Sequence, residues 1–309
     1  MSDTPPVFVI LNVGSGHGDA AACEQEIRAG FEAMGHEHQV VVAGSAAQVR
    51  EQARRAMEQA RTHPQVIVAA GGDGTVNLIA GLVVEQDLPF AVIPLGTFNY
   101  FARDLGIPLD PRAAAEAIAT GHIRRVHVAR VNGHLFLNNA SFGLYRQLLE
   151  QREHDKRRFG RYKLVAVLSA LATVWRFRQV YTLRIELDGK SVTLRTPMLF
   201  FGLNSLQLEK LDLDVASCTN AGQMAVIALQ PSGPWHLLGL ALRGALHGLH
   251  DSPELRCHGA SQVLVEQPGR RTTRVAVDGE TFECTMPLHF AVMRGALQVV
   301  VPRTPEVRK

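Results

Sequence analysis

Three glycine-containing turns are the residues of this sequence whose types and spacing could do chemistry. Residues 12–18, 71–75 and 95–97 each follow a short apolar run that predicts a buried strand. The carboxyl ends of parallel strands lie at one edge of a sheet, so we expect the three turns to converge on one crevice. Glycines let backbone N–H groups approach phosphate oxygens, and a helix starting after Thr75 would add its positive dipole end. The pattern predicts a site for a nucleotide polyphosphate.

Asp73 is a carboxylate placed among these turns. Such an anion is better suited to a magnesium ion or a reacting hydroxyl than to bare phosphate. A single glycine turn after a strand is more often a simple connector, so the hypothesis depends on three turns at successive strand ends. Two better-known phosphate loops are excluded. Residues 14–19 lack the final glycine of G-x-G-x-x-G, and Arg184 stands where a Walker A loop ending at 189–191 needs its first glycine.

The segments that must position these turns alternate between strands and helices up to about residue 121. Apolar runs predict strands at 7–11, 39–43, 66–70 and 90–94. Helical patterns lie between and after them, at 19–34, 46–61 with Ser45 as N-cap, 76–84, 99–105 and 111–119. This alternation predicts a three-layer α/β domain with a parallel sheet.

The pattern changes after about Gly121 to short β-prone segments separated by turns. Predicted strands lie at 123–131, 134–140, 181–187, 191–201, 223–229, 262–266, 273–277 and 281–284, with helical inserts at 145–178 and 233–249. The dipeptides 132–133, 188–189 and 278–279 (Asn-Gly, Asp-Gly and Asp-Gly) are typical of tight turns. We predict a mostly antiparallel β domain at 125–287. Residues 288–301 are predicted to form a closing hairpin, and 288–309 to rejoin the first domain at 1–124.

Composition favours an ordinary globular, cytoplasmic protein. Of 309 residues, 46% are hydrophobic and 20% charged, and a formal charge of +3 is too small to indicate a nucleic-acid partner. The four cysteines show no C-x-x-C pair, which is typical of reduced thiols in the cytosol. Residues 1–6 carry no secretory signal pattern, and no apolar stretch reaches the roughly 20 residues of a membrane helix. The sequence does not indicate an oligomeric state.

Two motifs together resemble a known family. Residues 71–77 read Gly-Gly-Asp-Gly-Thr-Val-Asn, and residues 94–103 read Pro-Leu-Gly-Thr-Phe-Asn-Tyr-Phe-Ala-Arg. This pair is similar to the diacylglycerol kinase catalytic domain, and most closely to soluble bacterial lipid kinases related to sphingosine kinases. Residues 12–16 resemble the family's first nucleotide loop, 277–280 its C-terminal D-G-E, and 295–302 its closing strand. The first motif alone is shared with NAD kinases and phosphofructokinases.

The resemblance implies an NAD-kinase-like α/β domain, a β-sandwich domain, and ATP with Mg²⁺ bound between them. It implies that Asp278 and Glu280 supply the base for a lipid hydroxyl, with Asp73 as a third catalytic residue that positions magnesium. Phosphoryl transfer depends mainly on positioning and charge neutralisation, which agrees with these roles. The residues implied to bind the nucleotide are Asn12, Val13, Gly14, Ser15, Gly16, Gly71, Gly72, Asp73, Gly74, Thr75, Val76, Asn77, Gly96, Thr97 and Asn99. Without the family pattern, 278–279 would be read as a hairpin turn only.

The sequence departs from the family pattern at three positions. Val13 replaces a common proline, Tyr100 stands where an acidic residue is frequent, and Ala221 replaces an aspartate that holds a structural magnesium in some members. Loss of that carboxylate leaves backbone carbonyls at most. We therefore predict that a second magnesium site near Ala221 is weak or absent.

A basic segment at 146–178 is the predicted contact with a membrane. It contains nine arginines and lysines against three acidic residues, beside an apolar run at 164–175 that ends in Trp175. Basic residues next to an apolar helical face are typical of interfacial contact, at about 1 kcal/mol per cation near anionic lipid. The alternative is a core helix preceded by a solvated charged loop. The first interpretation predicts a lipid substrate presented at the inner face of the membrane.

Two alternatives to an ATP-dependent lipid kinase remain open. A NAD-kinase-type small-molecule kinase shares the 71–75 turn but does not account for the long β domain with its basic, apolar insert. A lipid- or nucleotide-binding protein without turnover is supported only by Tyr100 and Ala221.

Overall fold

The structure is a computed structural model, and it describes residues 5–14, 19–143, 179–209, 215–231 and 252–303, with 212, 233, 236, 239 and 249 as single positions. The chain divides into two compact units. Unit 1 comprises residues 1–128 with 293–309, and unit 2 comprises residues 129–292. The sequence analysis predicted one domain at 1–124 with 288–309 and another at 125–287. These domain boundaries stay a prediction.

Unit 1 contains a parallel sheet of apolar strands. The strands are β1 (Val7–Asn12), β2 (His38–Ala43), β3 (Val66–Gly71) and β4 (Phe90–Pro94), in the order β2-β1-β3-β4. Val299, near the end of the last strand of the chain, pairs with Phe90 in parallel beside β4. All residues of β3 and β4 are buried, as expected for strands covered on both faces. Each predicted strand is present, with bounds that differ by a residue at most.

The helices of unit 1 pack in pairs against this sheet. They are α1 (Ala20–Ala33), α2 (Ala46–Ala60), α3 (Asp73–Val83), α4 (Tyr100–Asp104) and α5 (Pro111–Thr120), with a 3₁₀ turn at Val84–Gln86. α1 packs against α5, and α2 against α3. Ser45 caps α2 as predicted, since its Oγ accepts the Gln48 N–H at 3.3 Å. The three-layer α/β architecture expected from the alternating pattern is confirmed.

Unit 2 is built from antiparallel strands. They are β5 (His122–Val131, which begins in unit 1), β6 (His134–Phe136), β7 (Asn139–Gly143), β8 (Tyr181–Leu187), β9 (Lys190–Thr196), β10 (Met198–Gly202), β11 (Met224–Leu229), β12 (Leu255–Ala260), β13 (Gln262–Glu266), β14 (Thr272–Val277), β15 (Glu280–Thr285) and β16 (Leu288–Val301). A short helix, α6 (Ser205–Glu209), follows β10, and a 3₁₀ turn lies at Ala216–Thr219.

Two sheets of unit 2 share one apolar core. One has the order β12-β11-β10-β7-β14-β15, and β13 pairs with β8 and with the start of β16 in the other. Their inner faces meet in a cluster in which the rings of Phe201 and Phe290 stack 3.7 Å apart. This is the packing of a β-sandwich, as the sequence predicted.

Three predictions about the strands of unit 2 were wrong, and one strand was missed. Residues 134–140 form parts of two strands rather than one, and 191–201 are divided between β9 and β10 on either side of Pro197. Residues 288–301 form one continuous strand and not a hairpin, because residues 288–291 pair with β13 while Val299 pairs with β4. β12 was not predicted, since its sequence LRCHGA contains no β-branched or aromatic residue.

Three expectations fall on residues outside those described. They are the helical inserts at 145–178 and 233–249, apart from single positions, and the basic segment at 146–178. Among the residues that the structure describes, no helix is long and apolar enough to cross a membrane.

Candidate active site

The turns after β1, β3 and β4 lie against one another in unit 1. The Asn12 side-chain amide donates to the Thr75 hydroxyl over 2.7 Å, which links the first turn to the second. The Leu95 N–H donates to the Gly71 carbonyl over 2.9 Å, which links the third turn to the second. The convergence expected from parallel strands ending at one edge is therefore present in the structure.

The carboxylate of Asp73 is hydrogen-bonded to the backbone at the start of α4. Its Oδ2 accepts the Asn99 N–H at 3.0 Å, and its Oδ1 accepts the Tyr100 N–H at 3.1 Å. The first N–H groups of a helix have no carbonyl one turn back, so a carboxylate is a favourable partner for them. Asp73 thus connects the 71–75 turn to the 95–100 turn.

Asn99 completes this connection from the other side. Its backbone is left-handed (φ 51°), a conformation in which asparagine is enriched among non-glycine residues, and its side chain is buried. The Asn99 Oδ1 accepts the Gly96 N–H, and its Nδ2 donates to the Gly96 carbonyl, both over 2.9 Å. Both polar atoms of the Asn99 side chain therefore stabilise its own turn.

The pKa of Asp73 is raised above its ordinary value. Burial is the main cause, because it penalises the charged form, and the backbone N–H bonds from Asn99 and Tyr100 offset part of it. A nearby cation would therefore stabilise the ionised form of the Asp73 carboxylate.

Gly96 and Gly71 cannot be replaced without strain, because a Cβ at either position would lie too close to neighbouring atoms. A Cβ on Gly96 would lie 2.8 Å from the Gly72 Cα and 2.8 Å from the Asn99 Oδ1. A Cβ on Gly71 would lie 2.8 Å from the Thr75 Cβ and Oγ1. Gly96 therefore allows the third turn to approach the second, whereas Gly71 leaves room for the Thr75 side chain of its own turn.

α3 begins three residues earlier than expected, at Asp73 rather than at Val76. The N–H groups of Thr75 and Val76 both donate to the Gly72 carbonyl, at 2.9 and 3.1 Å. The N–H groups of Asp73 and Gly74 precede them and have no carbonyl one turn back, as at any helix start. Because α3 starts here, Gly72 and Gly74 lie at the positive end of the helix dipole.

The predicted nucleotide contacts differ in exposure. Gly14, Gly74 and Thr97 are exposed, whereas the side chains of Thr75 and Val76 are buried, so contact with Val76 could come only through its backbone. Ser15 and Gly16 lie outside the described residues. These assignments stay predictions, and so do those of Asn12, Val13, Gly71, Gly72, Asn77, Gly96 and Asn99.

The residues at this site fit a magnesium ion that is held mainly by phosphates. Within the part of the chain that the structure describes, no group of three or more His, Cys, Asp or Glu side chains could hold a metal by itself. Mg²⁺ is usually bound through one or two carboxylates together with substrate phosphates and water. Asp73, with its raised pKa, is suited to that single-carboxylate role.

In unit 2, the two carboxylates of the 277–280 segment differ in their surroundings. The Asp278 carboxylate accepts three backbone N–H groups, from Leu137 at 2.7 Å and from Asn138 and Asn139 at 2.9 Å. Glu280, the first residue of β15, is exposed. The segment is a two-residue hairpin turn in which Val277 pairs with Glu280. The sequence had left the hairpin and base interpretations of Asp278 open.

A set of buried amides beside this turn was not predicted from the sequence. Asn204 donates from Nδ2 to the Asn138 Oδ1, and Asn139 donates from Nδ2 to the Gln207 Oε1, both over 2.9 Å. These residues are far apart in sequence, so spacing could not have linked them. The only signal was an Asn-Asn pair at 138–139, inside a segment that was predicted as one strand.

A cavity of about 270 Å³ in unit 2 lies away from these residues. Its lining includes Tyr181, Arg270, Thr272, Arg274 and Glu283. Thr272 starts β14, whereas Val277 ends it, so the cavity is at the opposite end of this hairpin from Asp278. It contains none of the predicted site residues.

Comparison with known proteins agrees with the two motifs. Residues 6–131 match the family model of the diacylglycerol kinase catalytic domain. Two curated relatives, each named diacylglycerol kinase, are from the bovine RF122 / ET3-1 and JH9 strains of Staphylococcus aureus. Each is 29% identical over 264 residues, covering 81% of this chain and 78% of the relative. A crystal structure of a diacylglycerol kinase from Bacillus anthracis str. Sterne covers 98% of this chain and 99% of its own, with a TM-score of 0.75 and 19% identity.

Residues 6–131 are therefore similar to a diacylglycerol kinase catalytic domain, and the family resemblance predicted from the sequence is confirmed. The bacterial structure shows a likeness of fold. Within the segment that matches this kinase domain model, the residues that lie together are those of the 12–14, 71–77 and 95–100 turns.

Replacing Gly96 by alanine is expected to destabilise unit 1. The added Cβ would force apart two backbone segments and the Asn99 side chain, which should lower the free energy of unfolding by about 2 kcal/mol. Urea unfolding followed by circular dichroism measures this change. Thr97→Ala, at an exposed position in the same turn, is the control and should change stability by less than about 0.5 kcal/mol.

The raised pKa of Asp73 predicts a pH-dependent difference between the wild type and Asp73→Asn. Below about pH 4, aspartate is mostly protonated in the unfolded chain, and the stability associated with the raised pKa is fully present. As the pH rises through the folded pKa, that stability is lost, because the unfolded state ionises first. The stability of Asp73→Asn relative to wild type should therefore increase with pH in this range.

Urea unfolding in magnesium-free buffer at several pH values tests the sign of this slope. Glu51→Gln, which removes an exposed carboxyl on α2, controls for the loss of one negative charge. A difference that decreases with rising pH would contradict the burial of Asp73 as the dominant cause.

Proposed function

We propose that the protein is an ATP-dependent lipid kinase that transfers the γ-phosphoryl group to a hydroxyl of diacylglycerol or a related lipid. The observation that carries this proposal is the link between two motifs of the catalytic domain, in which Asp73 of the first motif holds Asn99 and Tyr100 of the second. The relatives named diacylglycerol kinase support the choice of acceptor.

The residues of unit 1 would bind and orient the nucleotide. The N–H groups at the start of α3, with its positive dipole end, are suited to phosphate oxygens at Gly72 and Gly74. The exposed positions Gly14 and Thr97 would contact ATP from the neighbouring turns. Magnesium bound with ATP would neutralise the charge that develops on the phosphates, and Asp73 is the carboxylate that would hold it.

A carboxylate is needed to take the proton of the lipid hydroxyl. Glu280 is our candidate, since it is exposed, and its side chain makes no hydrogen bond or ion pair with the residues that the structure describes. A general base must be accessible to the hydroxyl from which it takes the proton. Asp278 shares the motif but is bonded to three backbone N–H groups.

The basic segment at 146–178 is proposed to bring the protein to its substrate. Its net positive charge beside an apolar run fits an anionic bilayer surface, where diacylglycerol resides in the lipid phase. We propose a peripheral contact with the inner face of the membrane, with no nucleic acid as partner.

The function is tested by incubating the full chain with γ-labelled ATP, Mg²⁺ and vesicles that contain diacylglycerol. We expect label to appear in the organic phase as a phosphorylated lipid. Offering a total lipid extract in place of diacylglycerol tests a related lipid as the acceptor. Label in NADP when NAD is supplied would favour a NAD-kinase-type enzyme instead, and no transfer to either acceptor would favour a binding protein.

Glu280→Gln is expected to lower kcat by about 10²–10⁴-fold, because glutamine cannot accept the proton. Initial rates of lipid phosphorylation measure the effect, with circular dichroism to confirm that the variant is folded. Glu283→Gln removes an exposed carboxylate from the same strand and is the matched control. Equal activity of Glu280→Gln and the control would show that the base has been assigned wrongly.

Replacing Arg157, Arg158 and Arg161 by glutamate should reduce binding to vesicles. With each cation contributing about 1 kcal/mol near anionic lipid, we expect at least about a tenfold loss of affinity for vesicles rich in phosphatidylglycerol. Pelleting with sucrose-loaded vesicles measures it. The control replaces three other exposed arginines by glutamate, with the same change of charge: Arg54 and Arg55 on α2, and Arg61 directly after it. Equal losses in both variants would mean that net charge, and not this segment, drives binding.

A further inference from the structure

The Asp278 turn (residues 277–280) is fixed to a neighbouring segment of unit 2 by the Asp278 side chain. The Asp278 Oδ2 accepts the Leu137 N–H, and its Oδ1 accepts the N–H groups of Asn138 and Asn139. The Asp278 N–H in turn donates to the Asn139 carbonyl over 2.9 Å. Residues 137 and 138 lie between β6 and β7, and Asn139 is the first residue of β7, so one carboxylate accepts the backbone donors where one strand gives way to the next.

The same construction occurs at two other hairpins of this chain. Asp188 has φ 45° and precedes a glycine at φ 86°, and its carboxylate accepts the Ser261 and Gln262 N–H groups. Asn132 has φ 44° and precedes a glycine at φ 89°, and its Oδ1 accepts the His289 N–H at 2.8 Å. Asp278 and Gly279 have φ 45° and 91°. All three are two-residue turns of the kind that favours Asn-Gly and Asp-Gly.

This comparison separates the structural requirement from the chemical one. The Asn132 side chain does not titrate, yet it makes the same kind of turn and the same kind of bond to a neighbouring strand. The construction therefore needs an oxygen acceptor in a left-handed residue, and not a group that titrates.

The segment held by Asp278 is also bound from its other side. The Asn138 Oδ1 accepts from Asn204, the Asn139 Nδ2 donates to Gln207, and the Gln207 N–H donates to the Asn204 Oδ1 over 2.8 Å. Asn138, Asn139 and Asn204 are buried. Buried polar groups whose partners are all present rigidify the structure around them, so the Asp278 turn is anchored to a fixed support.

Glu280 lies two residues along the chain from Asp278, at the start of β15. Its position is set by pairing with Val277 across the turn, whereas its side chain is exposed and bonds to none of the described residues. In this motif, the Asp278 carboxylate is therefore hydrogen-bonded to the backbone, whereas the Glu280 carboxylate is exposed and could accept a proton from a substrate.

We infer that Asp278 is a positioning residue, which holds the turn through residues 137–139 so that Glu280, and not Asp278, takes the proton of the acceptor hydroxyl. This inference rests on the proposed lipid kinase function. In the step, the O–H bond of the lipid hydroxyl breaks and its proton passes to the Glu280 carboxylate. The lipid oxygen bonds to the γ-phosphorus as the bond to the leaving ADP oxygen breaks.

The test compares Asp278→Asn with Asp278→Ala in the full-length protein. Asparagine tolerates the left-handed conformation and keeps one oxygen, which can still accept the Asn138 and Asn139 N–H groups, but its NH2 group cannot accept the Leu137 N–H and the side chain cannot take the proton. Alanine has no acceptor at all. The assay is phosphorylation of diacylglycerol in vesicles with labelled ATP. Asp188→Asn and Asp188→Ala, at the equivalent hairpin between β8 and β9, are the matched controls.

We expect Asp278→Asn to keep kcat within about tenfold of wild type, whereas Asp278→Ala loses about 10²-fold or more, a loss comparable to removing a general base. The two Asp188 variants should stay within about twofold of wild type. The KM for ATP should change little in any of them, since the residues proposed to bind ATP lie in unit 1.

Hydrogen exchange gives a readout that does not depend on catalysis. The amides of Leu137, Asn138 and Asn139 should lose protection in Asp278→Ala and keep it in Glu280→Gln. If Asp278→Ala does not fold, Asp278→Asn and Glu280→Gln still decide between the roles. Loss of activity in Asp278→Asn as large as in Glu280→Gln, with protection intact, would overturn the inference and make Asp278 a catalytic residue. Failure of the proposed function is distinct, because the wild type itself would then phosphorylate no lipid.

Discussion

The bonds from the Asp73 carboxylate to the Asn99 and Tyr100 N–H groups are the interaction on which the catalytic domain depends. Without them, the five-residue helix α4 would begin with unpaired donors, and a helix of that length has little stability of its own. The same bonds fix the distance between two turns whose glycines already touch. Position 100 contributes to this link through its backbone, so the tyrosine found there preserves the link while its ring stacks on Phe98.

Unit 2 uses the same physical device in a different setting. Asp278, Asp188 and Asn132 each place a side-chain oxygen opposite backbone donors of a neighbouring segment, and each lies in a left-handed residue before a glycine. A carboxylate in this role is held in one orientation, because both of its oxygens accept backbone N–H groups. In a motif with two acidic residues, rigidity and chemistry can therefore be assigned to different side chains.

Local pattern was sufficient to predict the strands and turns of unit 1, because fully apolar runs followed by glycine leave few alternatives. It placed the start of α3 three residues late, since Asp73, Gly74 and Thr75 are poor helix formers that the helix tolerates in its first turn. The bonds between Asp73 and Asn99, or between Asn138 and Asn204, join residues that are distant in sequence and exist only through tertiary approach. β16 was mistaken for a hairpin for the same reason, because its two halves pair with strands that no local signal identifies.

Burial gives Asp73 a second consequence beyond holding two turns together. Two N–H bonds stabilise its charged form, but desolvation outweighs them and the pKa is raised. A cation bound beside such a carboxylate competes with the proton and removes part of the cost of burying the charge, so metal–nucleotide binding and proton release are coupled at this residue. The same coupling would tighten the link between the turns, since an ionised carboxylate accepts N–H bonds more strongly than a protonated one. A carboxylate that is held by the backbone in this way is therefore a structural element of unit 1, and in the proposed function it is also the group that would hold the metal of the nucleotide.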